Sequence, residues 1–470
     1  MKQQDTICAI STPPGRGAIA VLRISGPKAF PVMDTLFRFP GSKKKLASQP
    51  SHTIHFGHIV ENGQLIDEVL VSVFKAPRTY TGEDLLEVSC HGAPYIQQKI
   101  LELMINAGAR LAEPGEFTLR AFLNGRMDLS QAEAVADLIA SGSAASHRVA
   151  MHQMRGGFSR ELKQLRDRLV EFTSLVELEL DFSEEEVEFA NRTQLKTLVT
   201  HIRDVTVRLA DSFSLGNVIR NGVPVAIVGK PNVGKSTLLN TLLQEDRAIV
   251  SEIAGTTRDA IEDLVTLGGL LFRFIDTAGI RETSDFIESL GIRKTYQKIE
   301  EASVVILLVD AADPAEVICG SYRHILEQTG NGNRRVVLVI NKCDRVNRKE
   351  LDKKFGGHFS GCLRAEDRMM RLSARNREQV HRLAGMLVEM VKEDMQEESG
   401  EVVTNVRHYE ALRHTGEALD RVLDNLERNL PGDLLAQDIR EALHYLGQIT
   451  GEITTDEILG NIFSKFCIGK

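Results

Sequence analysis

The segment Gly229-Lys-Pro-Asn-Val-Gly234-Lys235-Ser236 fits the pattern GxxxxGK[ST]. It follows a short apolar run at 225–228 and precedes a helical pattern beginning near Thr237. In that setting glycines let the backbone curl until its N–H groups face phosphate oxygens, and the helix N-terminus adds positive potential. Lys235 would bridge the β- and γ-phosphates, and Ser236 would ligate Mg²⁺. Thr256-Thr257 lie in the loop after Ser251, where a threonine hydroxyl can complete the magnesium shell. Asp276-Thr277-Ala278-Gly279 ends the next apolar run; Asp276 would support Mg²⁺ through water and the Gly279 N–H would sense the γ-phosphate. Asn341-Lys342-Cys343-Asp344 ends a later one. A carboxylate at Asp344 accepts hydrogen bonds from guanine N1–H and the exocyclic amine, a pair that adenine does not supply. Ser373-Ala374-Arg375 offers a backbone contact to the base. These motifs, in this order and each at a strand end, specify GTP rather than ATP. The expected nucleotide contacts are Asn232, Val233, Gly234, Lys235, Ser236 and Thr237 at the phosphates, then Ser251, Thr256 and Thr257. Asp276, Thr277, Ala278 and Gly279 come next, followed at the base by Asn341, Lys342, Asp344, Ser373, Ala374 and Arg375.

Hydrolysis needs something further. In Ras-like proteins a glutamine directly after DTAG orients the attacking water, but that position here is Ile280, which cannot hydrogen-bond through its side chain. The enzyme is then either very slow alone or brings catalytic help from elsewhere. The Asn232 carboxamide, near the α- and β-phosphates, can hold a monovalent cation, and K⁺ there would supply the charge an arginine finger otherwise brings. Asn232 reads equally as a side chain that shapes the loop.

The elements that would position these residues form a recognisable sequence of patterns. Residues 225–228, 271–275, 304–309 and 336–340 are apolar runs, each followed by loop and helix, which implies a mostly parallel sheet with helices on both faces. Upstream, strand-like runs at 7–10, 18–24, 69–74 and 85–90 sit among Pro- and Gly-rich loops. Asp128 and Gln131 look like a capping box. Leu162, Leu165, Leu169, Phe172 and Val176, then Leu195, Leu198, Ile202, Val205 and Leu209, mark long amphipathic helices suited to a bundle. The helical period returns in Leu412, Leu419, Val422 and Leu426 and in Leu435, Ile439, Ala442 and Leu446. The expected fold class is therefore α/β plus all-α: an α/β N-terminal domain (1–120), a helical domain in two parts (121–216 and 381–470), and a P-loop G domain (217–380) inserted between them.

The chain has 470 residues, 42% hydrophobic and 26% charged, as an ordinary multidomain globular protein does. No stretch approaches the roughly 20 apolar residues of a membrane span. The first residues lack the pattern of a signal peptide, and the six cysteines form no CxxC pair, so a cytoplasmic location with reduced thiols is expected. The net charge of −8 excludes a general polyanion binder; contact with nucleic acid would need a local basic face.

Beyond the nucleotide motifs, the chain resembles the MnmE (TrmE) family of tRNA-modifying GTPases, within the TrmE-Era-EngA-like superfamily, nearly end to end. The resemblance rests on Thr12-Pro-Pro-Gly-Arg-Gly17, Leu22-Arg-Ile-Ser-Gly26, Thr81-Gly-Glu-Asp84, His91-Gly92, Pro114-Gly-Glu-Phe117, Arg120-Ala-Phe-Leu-Asn124, Gln131-Ala-Glu-Ala134, Gly255-Thr-Thr-Arg-Asp259 and Phe466-Cys-Ile-Gly-Lys470. The N-terminal motifs and the Cys-Ile-Gly-Lys tail are far more specific than the GTPase motifs. The resemblance implies a homodimer paired through N-terminal domains that bind a folate, 5-formyl- or 5,10-methylene-tetrahydrofolate. It implies an FAD-dependent partner of the MnmG/GidA type, in a heterotetramer or larger complex, and tRNA as substrate. Together these would install an aminomethyl-type group, such as carboxymethylaminomethyl, at C5 of the wobble uridine. It also implies K⁺-dependent hydrolysis, with Asn232, Thr256 and the carbonyls of Ser251 and Ile253 as K⁺ ligands, Ser236 and Thr257 on Mg²⁺, and Glu288 positioning the hydrolytic water. Carried over in the same way, Arg23, Glu87, Arg126 and Lys470 would contact the folate, whose carboxylates and pterin edge suit such side chains. Arg126 stands where the family often has Lys.

Cys467 reads two ways: a thiol that adds to pyrimidine C6 to activate C5, or a structural or recognition residue, with no base or cation visible nearby in sequence. A ribosome-assembly GTPase acting as an RNA-binding switch is the alternative reading of the whole chain.

Overall fold

The structure is a computed structural model, and it describes residues 5–181, 192–245, 263–275, 301–329, 334–355, 362–396, 401–428 and 432–470. It divides into two compact units, one made of 1–136, 153–191 and 430–470 and the other of 137–152 and 192–429.

In the first unit, strands β1 (Ile7–Ile10), β2 (Ile19–Ser25), β3 (Phe37–Arg38), β4 (Thr53–Glu61), β5 (Gln64–Phe74), β6 (Leu85–His91) and β7 (Arg110–Leu111) form one sheet in the order β3-β4-β5-β6-β2-β1-β7. Its neighbours pair antiparallel except β1 with β7. The runs expected at 7–10, 18–24, 69–74 and 85–90 are β1, β2, the end of β5 and β6. Alternation along these strands sends one set of side chains inward. Ala20, Leu22 and Ile24, Val69, Val71 and Val73, and Leu86, Val88 and Cys90 pack under the helices Ala29–Leu36 and Pro94–Asn106. Each fully buried aliphatic side chain contributes about 1.5–3 kcal/mol. The other set faces outward and carries Arg23 directly across from Glu87 in the β2–β6 register. Over β1 that outer face is closed by Phe117 of the helix Glu116–Leu123, which packs on Ile7 and Ala9 beside Tyr80.

The capping box forms as read. Gln131 N–H donates to Asp128 Oδ1 at 2.9 Å and Asp128 N–H to Gln131 Oε1 at 3.0 Å, starting the helix Leu129–Ala140. The helix Gly157–Asp181 lies along Gly432–Thr450, burying Leu162, Leu165 and Leu169 on one and Leu435, Ile439, Ala442 and Leu446 on the other. The last helix, Asp456–Phe463, is capped by Thr455 Oγ1, which accepts from Ile458 N–H at 3.3 Å. Its Leu459 and Phe463, with Phe466 beyond, pack on Leu119, Leu129 and Ala132, and this seats the tail.

In the second unit, β8 (Val223–Val228), β9 (Asp263–Leu267), β10 (Leu270–Phe274), β11 (Val304–Asp310), β12 (Arg335–Asn341) and β13 (Arg368–Arg371) form a sheet ordered β13-β12-β11-β8-β10-β9. Every pair is parallel except β9 with β10 at the edge. β11 alternates between two cores, Val304, Ile306 and Leu308 in one and Val305, Leu307 and Val309 in the other. A strand covered on both faces therefore reads as one unbroken apolar run. The helix Arg377–Gln396 supplies Val380, Leu383, Leu387 and Val391 to the first of these cores. The core of this sheet thus extends past the boundary expected at 380, because a helical period alone does not say which sheet or bundle a helix covers. In the same unit the helices Arg192–Asp211 and Val406–Glu427 lie together, with Arg203 Nε 2.9 Å from Asp420 and Lys196 Nζ 2.9 Å from Glu427.

Candidate functional sites

Three of the nucleotide motifs come together: the loop after β8, residues 341–344 at the end of β12, and residues 373–375 after β13. The P-loop leaves β8, and its helix begins at Lys235, two residues before the expected start, with Leu238 N–H donating to Gly234 O at 2.9 Å. Gly234 has φ +106°, and a Cβ there would lie 2.4 Å from Asn341 Nδ2, so a side chain is excluded by both strain and space. Asn341, almost fully buried, ties the loops together: its Nδ2 donates to Val233 O at 2.7 Å and its Oδ1 accepts from Ala374 N–H at 2.8 Å. Lys342, in the left-handed conformation, reaches back to Asn232 O at 2.8 Å and to Asp310 Oδ2 at 2.7 Å. Thr241, on the P-loop helix, donates to Ala374 O at 2.8 Å. Phosphate loop and base loops are therefore one braced body. Asp344 is exposed beside them, as a carboxylate that accepts from guanine must be. Ser373 N–H is held by Gln379 Oε1 at 2.7 Å.

Lys235 Nζ donates to Gly229 O at 2.7 Å and Lys230 O at 2.9 Å, which keeps the ammonium over its own loop. Burial works against ionisation of Asp310, but the bond from Lys342 and the Ala312 N–H outweigh it and hold the carboxyl below the ordinary value. Asp310 was missed in sequence. Its one signal was position: it ends β11 directly beside Asn341, in register. Asn232 is exposed with φ +61°, a conformation asparagine tolerates, so it shapes the loop while its carboxamide stays accessible. Ser236 sits in the first helical turn, where its hydroxyl suits Mg²⁺. Ser251, Ile253, Thr256, Thr257, Asp276, Thr277, Ala278, Gly279 and Glu288 lie outside the described residues.

In the first unit the structure gathers Arg23, Glu87 and Lys470. Arg23 Nε is 2.7 Å from Glu87 Oε1, its Nη1 donates to Gly469 O at 3.4 Å, and its guanidinium lies over the Tyr80 ring, 5.5 Å from the centroid. Burial first, then the charge of Arg23, push the Lys470 ammonium below its ordinary value. Arg126 Nε donates to Thr79 O at 3.1 Å, next to Tyr80. The tail is laced to the sheet by a bridge between Pro114 and Ile468 and by Ser11 Oγ on Gly469 O at 3.2 Å. Gly469 has φ +93°, and a Cβ would meet Ile10 O at 2.5 Å. Cys467, between Phe466 and the laced residues Ile468 and Gly469, is exposed. Arg23 and Lys470 against Glu87 leave an excess of positive charge here, with Arg126 on the loop beside Tyr80. Tyr80 was missed; as an aromatic in a loop it carried no periodic signal.

Behind this place runs an ionic network. Arg120 Nη2 reaches Asp5 Oδ1 at 2.6 Å and Glu116 Oε1 at 3.0 Å, and its Nη1 reaches Glu83 at 3.3 Å. Ser25 Oγ donates to Glu83 Oε2 at 2.9 Å and meets Thr81 Oγ1 at 2.8 Å. The loop that carries Tyr80 is thereby fixed to β2 and to the helix Glu116–Leu123.

A P-loop nucleotide site with a guanine-type base loop, in a chain that also carries a mainly antiparallel sheet and a set of long helices, defines a multidomain GTPase. The family model described as "MnmE helical domain" matches residues 129–467, and that described as "GTP-binding protein TrmE N-terminus" matches residues 6–126. The chain belongs to the MnmE family. It is 55% identical over 477 aligned positions to the tRNA modification GTPase MnmE of Christiangramia forsetii, covering 100% of both chains. It is 52% identical to that of Bacteroides fragilis strain ATCC 25285, covering 99% of this chain and 100% of the relative. Among solved structures, the G domain of the T. maritima FeoB iron transporter aligns with 36% of this chain and 98% of its own, at 26% identity and a TM-score of 0.25.

Proposed function

We propose that this chain is a K⁺-dependent GTPase that acts in the cytoplasm, with an FAD-dependent MnmG/GidA-type partner, to install an aminomethyl-type group at C5 of the tRNA wobble uridine. The one-carbon unit comes from a tetrahydrofolate. The observation that supports this reading is the tail: its Gly469 and Lys470 meet Arg23 and Glu87 at one cationic place, with the exposed Cys467 just before them in the chain, an arrangement that a GTPase switch alone would not require. Asn232 with Thr256 and the carbonyls of Ser251 and Ile253 would hold K⁺, Ser236 and Thr257 would hold Mg²⁺, and Glu288 would position water. The cations supply positive charge as phosphoryl transfer proceeds. Lys235 stabilises the phosphates, and Asp344 selects guanine. Homodimerisation through the first unit is supported by the apolar side chains its sheet leaves exposed, Ile19, Ile54, Phe56 and Leu70. The domain reading is a folate-type domain, a split helical domain and an inserted G domain, the last running to the end of the helix Arg377–Gln396.

The test is mass spectrometry of wobble-uridine nucleosides in tRNA from cells lacking the protein. Loss of the C5 modification, restored by the intact chain, supports the reading; an unchanged profile refutes it and moves the ribosome-assembly switch to the front.

A further inference from the structure

In a chain of net charge −8, residues 35–60 hold no Asp or Glu, yet they carry Arg38, Lys43, Lys44 and Lys45. All four side chains are exposed. Among the described residues, none of the three lysines forms an ion pair.

The loop that bears them is held in place. Leu46, directly after the run, is fully buried, and its N–H donates to Asp34 Oδ1 at 2.7 Å. Asp34, the acid flanking this stretch, is thus turned toward the backbone. Lys75 Nζ binds Ala47 O at 2.9 Å, and Gln49 Nε2 binds Lys45 O at 3.0 Å. Arg38 Nη1 donates to two carbonyls, Asp34 O and Phe37 O, each at 2.9 Å, so its charge is not cancelled either. Unneutralised cations on a pinned loop lose little entropy when they meet a polyanion, and each releases condensed counterions from it.

We infer that Lys43, Lys44 and Lys45, with Arg38, form a contact surface for the phosphate backbone of tRNA. This inference rests on tRNA being the substrate. It supplies the local basic face that an acidic chain needs to hold nucleic acid, and it positions without reading sequence.

The test is fluorescence anisotropy of an unmodified tRNA transcript with the full chain, between 50 and 200 mM KCl. Each phosphate contact contributes about 0.7–0.9 to the slope of log K against log salt. Lys43→Gln/Lys44→Gln/Lys45→Gln should flatten that slope by about 2–3, so over this range the unsubstituted chain loses roughly 20–40-fold more affinity than the variant. Lys43→Arg/Lys44→Arg/Lys45→Arg should keep the slope. Both variants should melt at the parent temperature, since these side chains are exposed. A Gln variant with the parent slope, or loss of binding in Gln and Arg variants alike, would overturn the inference and leave the proposed function standing. Absence of any tRNA binding by the unsubstituted chain would overturn both.

Discussion

Asn341→Ala is the perturbation that best tests whether the nucleotide site is one braced body. Its carboxamide serves the buried Val233 O at 2.7 Å and the buried Ala374 N–H at 2.8 Å. Truncation leaves both backbone groups unsatisfied, at about 1–3 kcal/mol each, or roughly 2–6 kcal/mol together. Asp344, the group expected to read guanine, is untouched. The cost therefore falls on the population of the closed loop arrangement, and apparent affinity drops by the fraction of molecules that lose it. At the lower figure the Kd for GDP should rise about 30-fold. Asn341→Asp separates the two bonds: it keeps an acceptor for Ala374 N–H but sets a carboxylate oxygen against Val233 O, so the P-loop side alone suffers. Titration calorimetry of the full chain with GDP measures both variants. An Ala variant within threefold of the parent Kd would show that the loops are held by something other than this side chain.

Three further outcomes follow from the same sites. GTP turnover should be at least tenfold faster in K⁺ than in Na⁺, because the smaller ion fits the Asn232 loop poorly; equal rates in a steady-state phosphate-release assay would refute the cation mechanism. Lys470→Met should weaken 5-formyl-tetrahydrofolate by about 10- to 150-fold, the worth of one charge-assisted hydrogen bond, with GTP affinity unchanged. Because binding an anion needs the protonated amine, folate affinity of the parent should hold near neutral pH. It should fall as pH rises through the Lys470 value, which burial sets below 10.5; a flat calorimetric pH profile would refute the contact.

Much of this was readable from residues because some physical rules act locally. The capping box at Asp128 and Gln131 and the apolar run of β11 each follow from neighbours in sequence. The P-loop and base motifs were legible because glycine, lysine and aspartate there have few substitutes. What stayed hidden depends on contacts distant in sequence. Tyr80 matters because Arg23 lies over it, and Asp310 because Lys342 reaches it. The family fingerprints Thr81-Gly-Glu-Asp84 and Pro114-Gly-Glu-Phe117 turn out to be largely scaffold. Thr81, Glu83 and Glu116 hold Ser25 and Arg120, and Asp84 Oδ1 accepts Ala76 N–H at 3.0 Å. Periodicity could not assign the helix Arg377–Gln396 to the sheet it covers, because an amphipathic face looks the same whichever partner it meets.

The path of the chain through its two units has a consequence for biosynthesis. The first unit takes residues 1–136, then 153–191, and receives 430–470 only after the whole of 192–429 has been made. Gly469, which admits no side chain against Ile10, and Ile468, which bridges to Pro114, therefore arrive at a sheet translated long before. Since domains generally fold in order of emergence from the ribosome, the cationic place around Arg23 must wait, half built, for its tail. A nascent or truncated product can thus acquire a nucleotide site while still lacking Cys467 and Lys470. GTP binding alone is no measure of a finished molecule.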